Sequence, residues 1–483
     1  MATAEFIAFH ANERPDAAAF VADAGAITYR AFAEDIGRLV RALAELGIAR
    51  GNLVAVGADD AYLHCLLLIA IEAMGAVSAS FSPREGESCR PLLARADLVL
   101  AEPHFPLIGA RRHRILTPQW LQEARTLPRL DDLAACAVAA ESPVRLTRTS
   151  GTTGAMKLLL LPRRQHESRL QRYALAHQFT ERSRYLLTMS LVSFPAYGAA
   201  MACLRSGGAL VRDPPPGLSP PEALSKHGIT DVTAMPLHLK HILDLLPEDF
   251  AKPERLTVYV FGGPISGALR ERALARLATT VYASYGTNEA GFIAIARSGD
   301  GNGGSVWPDV EVEVVDESDA PLPPGATGRI RVRSEFMVEG YLDDPEATRR
   351  MFRDGWFYPG DSGVLEGPRR LRVLGRTDDL LNIGGVKWPP EALEGLVARD
   401  PAVQDVGICS LENAEGFGEL WVLVVAGGLG DRDLWACVSG ALAVHQFGHI
   451  NVVRLDAMPR NEAGKIRRDR LRSLAEEARR GRR

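Results

Sequence analysis

Between Tyr29 and Phe81 the chain alternates between two hydrophobic periods. Tyr29 to Leu46 carries apolar residues at helical spacing (Phe32, Ile36, Leu39, Val40, Leu43, Leu46), and Gly47 stands just past its end as a stop. Leu53-Val54-Ala55-Val56 reads as a buried strand, Ala61 to Met74 as a helix, and Val77 to Phe81 as another short strand. This alternation implies βαβ units around a largely parallel sheet. The pattern returns from Tyr185 to Val281, with strands at Ala209–Val211, Val232–Ala234 and Val258–Phe261. The fold class expected is α/β.

From about Gly304 to Gly375 the texture changes. Val310 to Val315 and Gly328 to Arg333 alternate as strands do, with Pro321 to Gly325 as a turn between them, which predicts a smaller β-rich subdomain. After Arg376-Thr377-Asp378-Asp379 comes a stretch with its own strand and helix signals (Val406–Cys409, Leu420–Val425, Leu434–His445). The expected organisation is a large N-terminal domain over 1–375, made of βα subdomains plus the β-rich one. A connector over 376–379 and a small α+β domain over 380–483 follow.

With 483 residues the chain is long enough for several cores. The net charge of −4 gives nucleic acid no reason to bind. The Arg-rich end (Arg467 to Arg483) is interleaved with Asp469, Glu476 and Glu477 and reads as a solvated helix and frayed terminus. The six cysteines are scattered and form no C-x-x-C pair, so a reducing cytoplasm is expected rather than a disulfide framework or zinc ribbon. No leader pattern opens the chain, and the apolar run Cys65 to Ile71 is too short to span a bilayer.

The segment Thr149-Ser150-Gly151-Thr152-Thr153-Gly154-Ala155-Met156-Lys157 gathers hydroxyls, glycines and a lysine. Glycines let a backbone come close to a ligand, and the free N–H groups of such a turn cradle anions. A polyphosphate is the natural ligand, although the spacing is not that of the common G-x-x-x-x-G-K-[ST] loop. Further on stand Tyr285-Gly286-Thr287-Asn288-Glu289, Tyr358-Pro359-Gly360-Asp361, Gly375-Arg376-Thr377-Asp378-Asp379 and Pro459-Arg460-Asn461-Glu462-Ala463-Gly464-Lys465. Their order and spacing resemble the adenylate-forming superfamily of acyl-CoA synthetases, peptide-synthetase adenylation domains and luciferases, from about Thr28 to about Leu471.

The resemblance implies an enzyme that uses ATP and Mg²⁺ to turn a carboxylic acid into an acyl-adenylate. CoA then takes the acyl group as a thioester. By the same resemblance Thr149, Ser150, Gly151, Thr152, Thr153, Gly154 and Lys157 hold the β- and γ-phosphates, and Glu289 is the Mg²⁺-linked carboxylate. Mg²⁺ keeps most of its waters, so one carboxylate plus phosphate suffices. Taken alone, Glu289 is a helix-capping acid. Tyr285, Gly286, Thr287 and Asn288 belong to the nucleotide site, with Asn288 where the family usually has a threonine that contacts the α-phosphate; an amide can still donate. Asp361 would receive both ribose hydroxyls, Arg376 would reach the nucleotide, and Gly262-Gly263-Pro264 would lie along the adenine and the acyl pocket. Lys465 would bridge the carboxylate and the α-phosphate, as a compact ammonium on a flexible stem can. Asp378 would be the hinge of a mobile small domain, and Gly384, Gly385 and Lys387 the loop lining a thiol tunnel in its second orientation.

Phe194, Tyr197 and Gly198, with Gly262, are the expected acyl pocket by the resemblance; Phe194, Tyr197 and their apolar neighbours favour an apolar acyl or aryl group, or else are core, and the segment Ser190–Gly198 lacks the acidic residue with which amino-acid-activating members bind an α-amine. A carrier-protein phosphopantetheine arm, acting in trans, is the alternative acceptor, and a nucleotide-binding protein without turnover is the alternative of another class. His445 and His449 have a zinc-like spacing that no Glu or Cys completes, and His238 and His241 are expected at the surface of a helix over Pro236–Leu246. No G-x-S-x-G elbow and no G-x-G-x-x-G after a strand is present, which sets aside a serine hydrolase and a nicotinamide enzyme.

Overall fold

The computed structural model describes residues 2–22, 25–130, 138–150, 156–212, 220–263, 265–298, 300, 303–377, 381–383, 386–388, 390–412, 418–428, 430–442, 450–461 and 464–481. The chain forms two compact units: residues 1–262, 272–298 and 333–357 make one, and residues 263–271, 299–332 and 358–483 the other. The β-rich subdomain thus groups with the C-terminal residues.

The first unit holds two sheets. One runs in the order Gly291–Arg297, Thr280–Thr287, Thr257–Val260, Asp231–Ala234, Arg184–Leu187, Ala209–Arg212, Ala18–Ala22, Gly25–Thr28. Its six central strands are parallel, and only its two edge pairs are antiparallel. The other runs His113–Ile115, Leu98–Ala101, Leu53–Gly57, Val77–Ser80, Pro143–Ser150, Met156–Pro162, parallel except for the last pair. The expected βαβ alternation is what builds both.

Leu53–Gly57 is buried on both faces: Val54 and Val56 enter the main core, while Ala55 enters a second one with Phe81, Leu92 and Phe105. That is why its sequence is a continuous apolar run and not an alternating one. The helix Ala61–Ala73 is apolar all round and correspondingly buried. The Asp60 carboxylate caps it, accepting from Leu63 N–H at 2.7 Å. The helix Tyr29–Glu45 buries one side, with Tyr29, Phe32, Ile36, Leu39, Val40 and Leu43 as its large residues. It stops at Gly47, whose φ of +71° is a left-handed conformation that glycine takes without strain.

In the second unit Thr327–Arg333, Asp361–Gly367, Arg370–Arg376 and Gly304–Val306 form an antiparallel array, and Glu311–Val315 pairs with Thr327–Arg333. A separate sheet of Val403–Glu412, Gly418–Ala426 and Ile450–Arg454 has a core on each face. Ile408, Val422 and Val424 face the helices Pro390–Val397 and Asp431–Leu442; Cys409, Trp421 and Leu423 face Arg468–Gly481.

This last helix corrects the reading of the Arg-rich end as merely solvated. Leu471 and Ala475 are buried, and Arg468 reaches inward to the carboxylates of Glu391 and Glu394 and donates to the Ile408 carbonyl at 3.0 Å. Helical spacing puts the apolar residues on one side and leaves Arg470, Arg472 and Arg480 exposed. The five described cysteines are free thiols, four of them buried. Among the described residues no helix is long and apolar enough to cross a membrane.

Candidate nucleotide site

Pro143–Ser150 and Met156–Pro162 pair antiparallel, with Thr149 opposite Lys157 and Ser150 opposite Met156. The two ends of the hydroxyl-rich segment thus close a strand hairpin; Gly151, Thr152, Thr153, Gly154 and Ala155 between them lie outside the described residues. Lys157 is not an exposed loop lysine. Its side chain is buried and its ammonium lies 4.7 Å from the centre of the Tyr341 ring.

Glu289 sits in the tight turn between Thr280–Thr287 and Gly291–Arg297, so it caps no helix. The turn is built for closeness. A Cβ at Gly286 would lie 2.5 Å from the Gly291 carbonyl oxygen, and the Thr287 hydroxyl oxygen accepts from Ala290 N–H at 3.0 Å. The Glu289 carboxylate is buried, and its Oε1 accepts a hydrogen bond from the Tyr341 hydroxyl at 2.8 Å. Arg169, on the helix Arg163–His177, holds the backbone of the turn: one guanidinium nitrogen donates to the Asn288 carbonyl at 2.7 Å and another to the Glu289 carbonyl at 2.8 Å. Val338 N–H also donates to the Glu289 carbonyl, at 2.9 Å. Burial pushes the Arg169 guanidinium down to about 10, which leaves it charged at neutral pH.

Sequence reading missed Arg169 and Tyr341. Arg169 left a signal: Leu170, Tyr173, Ala176 and His177 are buried on the helix Arg163–His177, and Arg169 shares that side. A cation on an apolar side needs partners, and here they are carbonyls. Tyr341 left none, because its partners are remote in sequence.

The side-chain amide of Asn288, the residue the resemblance puts where the family contacts the α-phosphate, donates to the Arg148 carbonyl at 2.7 Å.

Phe194 and Tyr197, expected in the acyl pocket, are core side chains at the start of the helix Phe194–Arg205. The Tyr197 hydroxyl bonds His166 Nε2 at 2.9 Å, and the Arg145 guanidinium lies 4.2 Å from the centre of its ring. A tyrosine so satisfied is held inward. A Cβ at Gly198 would lie 2.5 Å from the Tyr173 ring, so this glycine serves close packing. Gly262, at φ +78°, is exposed, with Met235 the nearest neighbour a Cβ would meet. Pro264 lies outside the described residues, and of the two expected surface histidines His238 is half-buried.

In the second unit Asp361 opens the strand Asp361–Gly367 and is paired in register with Arg376. The Asp361 carboxylate is buried, and the Arg376 guanidinium donates to its Oδ1 at 3.3 Å and to the Pro359 carbonyl. Gly360, at φ +78°, leaves the room Arg376 needs, since a Cβ there would lie 2.7 Å from the guanidinium. Lys465 is exposed in a turn closed by Asn461 N–H to the Lys465 carbonyl at 2.8 Å and by Lys465 N–H to the Asn461 side-chain oxygen at 2.9 Å. Both Asp405 oxygens accept from Arg460 at the base of that turn, at 2.7 and 2.9 Å. Lys387 pairs with Asn382 in a short hairpin; Asp378, Gly384, Gly385, His445 and His449 lie outside the described residues.

The first unit thus brings together a buried ammonium and a buried carboxylate at the base of a hydroxyl-rich hairpin. A carboxylate oxygen is the hard donor Mg²⁺ takes, and one such ligand is what a phosphate-bound Mg²⁺ asks of a protein, so Glu289 fits that ion. Residues 7–342 match the family model described as AMP-binding enzyme. The chain is 27% identical to a 4-chlorobenzoate–CoA ligase of Arthrobacter, across 97% of this chain and 94% of that protein. It is also 27% identical to an indoleacetate–CoA ligase of Aromatoleum aromaticum, across 98% of both. The fold is similar to that of ATP-bound MatB from Rhodopseudomonas palustris, with a TM-score of 0.85 over 98% of this chain and 99% of that one at 22% identity. The match to the family model extends over well more than half of the sequence, and the chain belongs to the AMP-binding enzyme family.

Proposed function

We infer that this protein transfers AMP from ATP to a carboxylic acid, with loss of pyrophosphate, and passes the acyl group to the thiol of CoA. The observation that carries this reading is the placement of Lys157 and Glu289 around one tyrosine at the base of the Thr149–Lys157 hairpin. A free carboxylate has oxide as its leaving group, and adenylation replaces that with AMP. The acid's oxygen attacks the α-phosphorus and pyrophosphate departs. The CoA sulfur then attacks the acyl carbon and AMP departs, carrying the bonding pair.

The hairpin and Lys157 bind the β- and γ-phosphates. Mg²⁺ bound beside Glu289 supplies positive charge for the departing pyrophosphate. Asp361, oriented by Arg376, accepts from the ribose hydroxyls, and Lys465 meets the negative charge that grows between acid and α-phosphate. The 376–379 connector serves as the hinge, at Asp378, between a domain over 1–375 and one over 380–483. Rotation about it withdraws Lys465 and brings Gly384, Gly385 and Lys387 to the thiol. The second step uses CoA, with a carrier-protein arm as the rival acceptor, and the protein works in the cytoplasm.

Aromatic acids are the class to test first. Two relatives are named for aromatic carboxylates. A panel of benzoates, arylacetates, fatty acids and amino acids, scored for pyrophosphate release and for CoA-thioester formation, tests the reading. Aromatic acids should lead both readouts. Pyrophosphate release with no acid of the panel would overturn it, and thioester formed on a carrier protein but not on CoA would move the second step to the rival acceptor.

A further inference from the structure

The segment from Val338 to Leu342 bonds both to the turn that carries Glu289 and to the strand that carries Lys157. Val338 N–H donates to the Glu289 carbonyl at 2.9 Å, and Leu342 N–H donates to the Leu158 carbonyl at 2.8 Å. Glu289 belongs to the turn after Thr280–Thr287, and Leu158 follows Lys157 in the strand Met156–Pro162. The segment is thus stitched to the carboxylate's turn at one end and to the lysine's strand at the other. Tyr341 stands between these two bonds. Its hydroxyl donates to Glu289 Oε1 at 2.8 Å, and its ring faces the Lys157 ammonium at 4.7 Å. Its own backbone N–H donates to the Thr348 hydroxyl oxygen at 2.9 Å, which fixes where the ring begins. All three side chains are buried.

We propose that Tyr341 is a positioning residue that sets the metal-facing carboxylate and the phosphate-facing ammonium in one fixed relation. The inference rests on the reading of Glu289 as the Mg²⁺-linked carboxylate and of Lys157 as a phosphate ligand. The physical reason for such a residue is the attraction between those two charges. Left to themselves in a buried place, a lysine and a glutamate would pair with each other. A phenol engages each in a different way. Its O–H occupies one carboxylate oxygen, and the face of its ring attracts the ammonium without neutralising it. Tyr341 touches neither substrate nor reacting atoms in this scheme; it acts through the two groups that do.

Two functions of one side chain can be separated by two substitutions. Tyr341→Phe removes the O–H and keeps the ring; Tyr341→Leu removes both. The first readout is direct binding of Mg²⁺, followed by calorimetry on protein saturated with a non-hydrolysable ATP analogue. Tyr341→Phe should weaken Mg²⁺ binding about tenfold, the scale of one lost hydrogen bond to a charged group. Affinity for the analogue at saturating Mg²⁺ should change little. Tyr341→Leu should weaken both, because the ring that faces the Lys157 ammonium is then lost as well. The second readout is pyrophosphate release, where the half-saturating Mg²⁺ should rise in step and KM for the carboxylic acid should stay put. A general loss of structure would instead move the acid KM and the melting temperature together.

Glu289→Gln, alone and combined with Tyr341→Phe, completes the test. If Glu289→Gln weakens Mg²⁺ binding and Tyr341→Phe adds nothing to it, the two act as one unit, as proposed. If Glu289→Gln weakens Mg²⁺ binding while Tyr341→Phe alone leaves it at the wild-type value, the positioning role is wrong and the reading of the site stands. If Glu289→Gln leaves Mg²⁺ binding untouched, the reading of the site is wrong and the inference falls with it. Should Tyr341→Leu not fold, the Tyr341→Phe and Glu289→Gln pair decides by itself.

Discussion

The side-chain amide of Asn288 donates to the backbone carbonyl of Arg148 at 2.7 Å, and so ties the turn that carries Glu289 to the strand that leads into the hydroxyl-rich hairpin. Arg148 is the residue before Thr149. The expectation from sequence was that an asparagine here would reach for the nucleotide less well than a threonine. In the structure the amide braces the turn against the end of the strand Pro143–Ser150. Asn288→Thr removes that brace, because a threonine hydroxyl is shorter than the amide it replaces. The variant should lose about 1 kcal/mol of stability, the usual scale for a neutral hydrogen bond. KM for ATP should rise severalfold with KM for the acid unchanged. Denaturant titration and steady-state pyrophosphate release check this. Unchanged stability together with faster release would mean that the amide works on the nucleotide after all.

Lys465→Ala should reduce pyrophosphate release by at least about 10²–10³, the loss typical of one preorganised donor at a developing charge. Its turn is closed by backbone bonds and anchored by Arg460 on Asp405, so the side chain can be removed without loosening the loop. Thioester formation from pre-made acyl-adenylate should persist. Equal damage to both half-reactions would argue against the rotation of the small domain.

Asp361→Ala should raise KM for ATP while leaving KM for the acid near its original value. Each hydrogen bond lost to a charged acceptor costs roughly 1.5–3 kcal/mol. The substitution also deprives Arg376 of its carboxylate partner, which adds to the effect. Using 2′-deoxy-ATP on the wild-type protein gives an independent check. If that analogue works as well as ATP, Asp361 does not hold the ribose diol.

Glu72 makes the stability of the first unit depend on pH. Burial, and after it the charge of Glu167, pushes its carboxyl up to about 7, while Arg205 pulls it back. In the unfolded chain the group titrates near its ordinary value of about 4.3. The folded state therefore holds the proton more tightly. The associated stability is complete below the unfolded value and is lost as pH rises through about 7. Buried His64 and His166 run the other way, since burial lowers both, and they favour the fold as pH rises. Glu72→Gln removes the first of these contributions. Urea titrations at pH 5 and pH 8 should show the variant gaining on the wild type at the higher pH, on the order of 2–3 kcal/mol at most. A difference that is the same at both values would show that Glu72 is not held neutral by the fold.

Much of this protein was legible in its sequence. The helices Tyr29–Glu45 and Ala61–Ala73 and the strands beside them were written in local periods, because a 3.6-residue stripe or a short apolar run has few other ways to be buried. The segments around Thr149, Glu289, Asp361, Arg376 and Lys465 were also legible, as short patterns of glycine, hydroxyl and charge whose order along the chain identified the family. What a pattern cannot specify is which way a side chain turns once the chain has closed on itself. Tertiary structure alone decided that Tyr197 faces His166 and Arg145 in the core, that Arg169 holds the carbonyls of Asn288 and Glu289, and that Tyr341 sits between Lys157 and Glu289. Each of these depends on groups far apart in sequence whose burial leaves polar atoms in need of partners. Such atoms take whatever partner the completed fold brings within reach, and no local period encodes that distance.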